Sequence, residues 1–359
     1  MARILLLLAV LALPMFPQSM SIEDYQPKST LVVPEHIVRR AKYPFIDVHN
    51  HQWDTSPARL AQLLSDMDAM NMRVLVDSPV MNGCCDWVRK AVANIREAGH
   101  GRFVVMTNID YTNIDAPDYP ARAAGELEAD IQGGAVALKV WKNLGMILRD
   151  SKGQLVRVDD PRFDKVWDVC AKYRIPVMIH TADPRPLFQP MDKYNERWLE
   201  LKTHPNRSQA PGAPTWEALI EQQHNLFARH PKTIFIAAHM GWLANDLGQL
   251  GAVMDRMPNV YVEIGAISSE LGRQPRAARA FFEKYQDRVL FGKDAYVVPE
   301  YWTCFRLLET ADEYFDPTRR YHGLWQLYGL DLPDPLLKKL YYKNALRLFP
   351  AISRAGFPE

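Results

Sequence analysis

Eight short apolar runs, spread between residues 44 and 296, constrain the fold of this chain more than any other feature. They read PFIDVHNH (44–51), MRVLVDSPV (72–80), RFVVMTNID (102–110), AVALKVWKN (135–143), IPVMIHTAD (175–183), TIFIAAHMG (233–241), NVYVEIGA (259–266) and RVLFGKDAY (288–296). Each is rich in Val, Ile, Leu or Phe, as a strand buried on both faces should be. Amphipathic segments lie between them. SPARLAQLLSDMDAM follows the first run, and WVRKAVANIREAG follows the second and ends at Gly99, a C-cap residue. DDPRFDKVWDVCAKYR precedes the fifth, with Asp160 placed to cap a helix and Pro161 at its first position. TWEALIEQQHNLFARH precedes the sixth and PRAARAFFEKYQD the eighth. Strands and helices in this alternation predict an α/β fold, a (β/α)8 TIM barrel. The rival is a doubly wound open sheet; its nucleotide-binding version is weakened because no G-x-G-x-x-G follows the first strand.

The 359 residues suit one large domain, and the sequence divides into a signal peptide (1–20), an N-terminal arm (21–43) and a barrel (44–350). Arg3 followed by the apolar run Ile4–Phe16 is too short to span a bilayer comfortably and fits the h-region of a secretory signal; the alternative is an uncleaved anchor. Export to a periplasm or beyond is the expected localisation. With 43 basic and 42 acidic residues the net charge is +1, which gives no basic excess for a nucleic-acid partner. The four cysteines, Cys84, Cys85, Cys170 and Cys304, form no C-x-x-C pair, which leaves zinc-ribbon and thioredoxin readings without support. Cys170 lies in a helix-like run and reads as a small core residue. About fifty residues separate the fifth and sixth runs, and residues 184–214 within them form a long insertion of the kind that carries function or a lid. The aromatic-rich stretch 299–330 reads as core or oligomer interface, and LYYKNALRLF as a closing barrel helix.

A barrel places its catalytic residues at the C-terminal ends of the strands. In this chain those ends carry His49 and His51 on the first strand, Lys139 on the fourth, His180 on the fifth, His239 on the sixth and Asp294 on the eighth. Four of the ten histidines therefore close an apolar run. Side chains alternate along a strand, so His49 and His51 share a face and can bind one cation, with Asp47 on the same face one layer deeper, where it could orient a ligand histidine. Imidazoles with a carboxylate form a donor set for zinc, with manganese or iron as substitutes. Burying so many titratable groups without a cation would be costly.

H-x-H on strand one, His after strands five and six, and Asp after strand eight resemble the amidohydrolase superfamily. FIDVHNH, PVMIHTADP, FIAAHMGW, VLFGKDA and YYKNALRLF are most similar to its amidohydrolase-2 family, which includes aminocarboxymuconate-semialdehyde decarboxylase and related decarboxylases and hydrolases. The resemblance runs from about Pro44 to Phe349 and implies a barrel of the metal-dependent hydrolase type. It implies that His49, His51, His180 and Asp294 ligate one divalent ion, zinc or else manganese. It leaves His239 free as general acid/base or as a polariser of the substrate, and in hydrolytic members gives Asp294 the proton of the attacking water. Family members commonly read FGTD or FGSD at strand eight, where this chain has Lys293; alternation turns Lys293 away from the axis and leaves Asp294 available. Binuclear amidohydrolases carry a carbamylated lysine on strand four. With one metal the usual state in amidohydrolase-2 proteins, Lys139 is expected to stay uncarbamylated and to bind a substrate carboxylate or pair with an acid such as Glu263.

Trp53, Trp141, Arg185 and Trp242, close behind the strand ends, are the candidates for the pocket wall, and the remaining histidines read as surface or structural. The function expected is hydrolysis of an amide, ester or lactone of a small-molecule substrate by metal-activated water. The alternative is nonoxidative decarboxylation of an aromatic or unsaturated acid, and a third is an inactive barrel used as a binding protein. A homodimer is the expected assembly.

Overall fold

The computed structural model describes residues 20–52, 54–79, 84–209 and 212–358. Trp53 and the N-terminal segment 1–19 lie outside the described residues. The chain divides into two units, residues 1–32 and 33–359. In the first, Ser21 and Asp24 close a turn, with Ser21 Oγ 2.7 Å from Asp24 Oδ2.

In the second unit all eight apolar runs contain strands: β1 (Phe45–Asn50), β2 (Met72–Asp77), β3 (Phe103–Val105), β4 (Leu138–Val140), β5 (Val177–Ile179), β6 (Phe235–Ala237), β7 (Val260–Glu263) and β8 (Val289–Leu290). Every pairing is parallel, in the orders β1-β2-β3 and β4-β5-β6-β7-β8. Two single bridges complete the ring, Thr107 with Leu138 between β3 and β4, and Asn50 with Asp294 between β1 and β8. The result is a (β/α)8 barrel with helices Pro57–Met70, Asp86–Ala98, Tyr119–Gly133, Asp164–Tyr173, Trp216–Arg229, Leu247–Arg256 and Pro275–Lys284 in the successive crossovers. The strands are shorter than the runs that announced them. Apolar side chains continue past the point where the backbone leaves its neighbours, so burial outlasts the hydrogen-bond ladder.

Local signals set the helix starts. Ser56, Asp160, Thr215 and Asp246 each accept a hydrogen bond from a first-turn N–H, and Pro57 and Pro161 follow two of them. After Asp160 the first turn is a tight 3-10 turn, Pro161–Phe163, before the helix proper. Gly99 ends its helix with φ −86°, an ordinary right-handed conformation, so its freedom to go left-handed is not used there.

The C-terminal helical run closes the barrel as expected. It widens over Lys339–Lys343, and Phe291 N donates to Leu340 O at 3.1 Å. The wide turn releases a carbonyl that satisfies a β8 amide. Asn344 Nδ2 reaches Val289 O at 2.8 Å from the same side. All four cysteines are free, and Cys170 is buried in the core.

Candidate active site

The seam that closes the barrel builds the site. Asp294 N donates to His49 O at 2.6 Å, which locks the end of β8 against the H-x-H of β1. Asp294 Oδ1 then lies 3.5 Å from His49 Nε2 and 3.2 Å from His51 Nε2. These three donor atoms are all within 4.8 Å of one another, close enough to share a cation.

The outer nitrogen of each imidazole fixes which lone pair faces inward. His49 Nδ1 donates to Glu263 Oε1 at 3.0 Å, His51 Nδ1 to Ser78 O at 2.5 Å, and His239 Nδ1 to Gly265 O at 2.8 Å. A carbonyl or carboxylate can only accept, so each Nδ1 carries the proton and each Nε2 presents a lone pair. This is the arrangement in which outer acceptors hold ligand histidines. A second close group, His49, His239 and Glu263, meets the same distance criterion. It consists of the protonated Nδ1 side and the acceptor that holds it, so it serves as the outer support of the first group.

The buried atoms also fit a cation. The Nε2 atoms of His180 and His239 are buried and lack a hydrogen-bond partner among the described residues. Burial, with neighbouring His239, Lys139 and Lys142, holds the His180 ring well below its ordinary pKa, and the His49 ring falls to about 3 through burial and the Lys139 charge. Neutral imidazoles are ligands. His180 packs against His239 with ring centroids 4.5 Å apart, outside the His49–His51–Asp294 group. His49, His51 and Asp294 are therefore the group that could hold a divalent ion, and His180 lies outside it.

The structure gives two acids other partners than the sequence suggests. Glu263 is one acid that Lys139 could pair with if it does not bind a substrate carboxylate, and Asp47 is the expected orienter of a ligand histidine. In the structure Glu263 orients His49 and also accepts from His239 N and Gly265 N, each at 2.6 Å. Burial would push its carboxyl up, and the His49 and His239 rings with their hydrogen bonds bring it down to about 2. Asp47 is committed elsewhere: it accepts from the backbone of His49 and Lys293, from Asn50 Nδ2 and from Tyr301 OH. It braces the β1–β8 seam and touches no ligand ring through these bonds. Lys139 Nζ lies 2.7 Å from His49 Nε2, and burial brings it down to about 8 against the pull of Asp294 and Glu263. Lys293 does turn away, to Glu300 on the helix Val298–Glu309.

Two glycines make the socket for Glu263. A Cβ at Gly265 would come 2.7 Å from Glu263 Oε2, and one at Gly292 would collide with Glu263 Oε2 and stand 2.9 Å from His49 Cβ. Gly292 has no left-handed φ, so steric room alone requires glycine there. Gly292→Ala is expected to fold yet displace the Glu263–His49 pair. Metal affinity should fall about 10–100-fold, the usual cost of losing the acceptor behind a ligand histidine, as measured by competition with a chelating dye. Unchanged affinity would show that the pair tolerates the shift.

Backbone strain gathers at the same rim. Ala182 (φ 63°), Ala266 (58°) and Asp294 (75°) are left-handed, and His239, Met240, Gly241 and Trp242 form a left-handed turn after β6. Each of these residues except Gly241 costs about 1–2 kcal/mol unless a side chain offsets it. The turn stacks Trp242 on His239 at 4.5 Å and points its Nε1 to Ala182 O at 3.1 Å.

Above the histidines lies a cavity of about 560 Å3 whose walls include His180, His239, Trp242, Asp294, Arg207 and Arg319. The 184–214 insertion supplies one side through Leu187, Glu200, Asn206 and Arg207. Trp141 sits beside the cluster, 5.1 Å from the His51 ring, with Nε1 on Pro79 O at 2.8 Å. Arg185 instead pairs with Glu217 at 2.9 Å and borders a neighbouring cavity of about 510 Å3. The 299–330 stretch, read as core or interface, also contributes Arg319 and His322 to the main cavity.

The chain matches the amidohydrolase family profile over residues 46–351 and belongs to that family, as its amidohydrolase-2 branch. Comparison with curated protein sequences gives no match. Among solved structures the chain is similar to a 2,6-dihydroxybenzoate decarboxylase from Rhizobium (17% identity, 86% of this chain and 99% of that one, TM-score 0.51). It is also similar to a dihydroxybenzoic acid decarboxylase from Polaromonas sp. JS666 with bound manganese and the inhibitor 2-nitroresorcinol (14% identity, 86% and 97%, TM-score 0.55). A third is an uncharacterised TIM-barrel protein from Bordetella bronchiseptica (15% identity, 86% and 99%, TM-score 0.51). At these identities the likeness is one of fold. Family and site together define a metal-dependent enzyme of the amidohydrolase-2 type.

Proposed function

We propose that this protein is a metal-dependent hydrolase of an amide, ester or lactone. The observation that carries the reading is Asp294: its side chain is 30% exposed at the cavity and its Oδ1 lies 3.5 Å from His49 Nε2 and 3.2 Å from His51 Nε2. An ionised, solvent-reached carboxylate beside a cation position is a base for water. A divalent ion held by His49, His51 and Asp294 would supply Lewis acidity toward a carbonyl oxygen and a water. Asp294 accepts the proton of the attacking water. His239, whose Nε2 lone pair faces inward, takes that proton from Asp294 and gives it to the leaving group as the bond from the carbonyl carbon breaks. Trp242, stacked on His239, keeps that ring in place and gives the substrate an apolar wall. Zinc suits the imidazole-rich donor set, and the manganese of the Polaromonas enzyme recommends testing that ion as well.

The second reading is decarboxylation of an aromatic acid. It draws on the dihydroxybenzoate decarboxylases that share the barrel, one of them complexed with 2,6-dihydroxybenzoate. A panel decides between them: metal-loaded protein with lactones, esters and amides against aromatic acids, read by 18O incorporation and by CO2 release. Oxygen incorporation from water is the expected result; CO2 without hydrolysis would overturn it in favour of the second reading. We also propose that the chain is exported on its N-terminal apolar segment. No helix among the described residues is long and apolar enough to cross a membrane. N-terminal sequencing of the mature protein tests export, with loss of residues up to about Ser19–Ser21 as the expected outcome.

A further inference from the structure

We propose that Arg319 is a specificity residue that holds a carboxylate carried by the substrate away from the reacting carbon. The inference rests on the small-molecule reading of the cavity above, but not on which bond is broken there.

Charge pairing around the cavity carries the argument. Lys142 is matched by Asp183 at 2.6 Å. Arg197 is matched by Glu200 at 2.8 Å and Glu270 at 2.5 Å, and Arg207 shares Glu200 at 2.5 Å, so two cations meet two acids. The Asp294 carboxylate is directed to the His49 and His51 rings. Lys293 and Arg319, in contrast, both form their ion pairs with Glu300 among the described residues. One carboxylate serves two cations, so Glu300 neutralises Arg319, on the cavity wall, only in part.

The geometry gives the remaining charge a shape. Arg319 Nε donates to Glu300 Oε1 at 2.7 Å and Nη2 to Oε2 at 3.3 Å. This side-on pair fixes the guanidinium plane. Nη1 has no protein acceptor among the described residues, and Arg319 borders the same cavity as His239 and Asp294. The end-on edge, one N–H from Nη1 and one from Nη2, is the fork that fits the two oxygens of a planar carboxylate. His322 reports the local field: burial and the surrounding Arg197, Arg319 and Arg207 bring its ring down to about 2. A neutral imidazole among three guanidiniums adds no charge of its own, and a bound anion relieves their repulsion.

Calorimetric titration of the metal-loaded full chain with benzoate and with benzamide tests this, after metal contents have been matched. Wild type should prefer benzoate. Arg319→Met should weaken benzoate about tenfold or more while leaving benzamide within about twofold, and Arg319→Lys should restore part of the loss. If Arg319→Met fails to fold, Arg319→Gln, which can still donate to Glu300, is read by the same criteria. Benzoate affinity that does not change, an equal loss for both ligands, or no preference in wild type would each overturn the proposal. Because binding is read without turnover, an error about hydrolysis would appear in the oxygen-18 and CO2 assay and leave this result standing.

Discussion

Asp294→Asn is expected to lower kcat by about 10^4-fold or more and to weaken retention of a divalent ion, because one substitution removes both a ligand charge and the base. The amide is nearly isosteric, and Asn tolerates the left-handed φ of 75° found at this position. The backbone N–H that donates to His49 O is untouched, so the seam between β8 and β1 should persist. What changes is charge. Asp294 Oδ1 stands 3.2–3.5 Å from two imidazole nitrogens, and without its anion those two neutral rings alone face a dication. Metal content after dialysis and kcat on the best panel substrate measure the two losses separately. A variant that keeps both its metal and its turnover would remove Asp294 from the site.

The fold is readable because a strand buried on both faces leaves a continuous apolar mark, and there are enough such marks to count. The ends of those marks also point to His49, His51, His180, His239, Lys139 and Asp294, since alternation places i and i+2 on one face. The partners of these residues are harder to see. Glu263 lies 214 positions from the histidine it orients, and nothing local distinguishes it from any other acid at the end of an apolar run. Its one trace is the pair of glycines in VEIGA and LFGKD, which make sense only once both strands are side by side. Asp47 is misplaced for the opposite reason. Alternation gives the direction of its Cβ, but Tyr301, 254 positions away, and two backbone amides claim its carboxylate. Arg319 is hidden inside an aromatic-rich stretch whose composition suggests packing. The role proposed for it comes from sharing Glu300 with Lys293, a count of charges that needs three dimensions.

His239→Asn separates acid–base chemistry from metal binding more cleanly than any other single change. His239 begins a left-handed turn at φ 57°, a conformation that Asn adopts more readily than most residues. The Asn amide nitrogen can take the place of Nδ1 and donate to Gly265 O, the bond of 2.8 Å that anchors the ring. The backbone N–H that donates to Glu263 is kept, so the support of His49 survives. Only the ring beyond Nδ1 is lost, and with it the buried Nε2 that has no partner among the described residues. Because that atom lies outside the His49–His51–Asp294 group, metal content should stay at the wild-type level. Turnover should fall about 10^2–10^4-fold, the range for losing a positioned proton carrier. The loss should be smallest for substrates whose leaving group needs no proton, such as a nitrophenyl ester, and largest for amides. A variant that loses its metal would make His239 a ligand. A variant with a uniform loss across leaving groups would make it a polariser of the carbonyl, and either result would take the leaving-group proton away from His239.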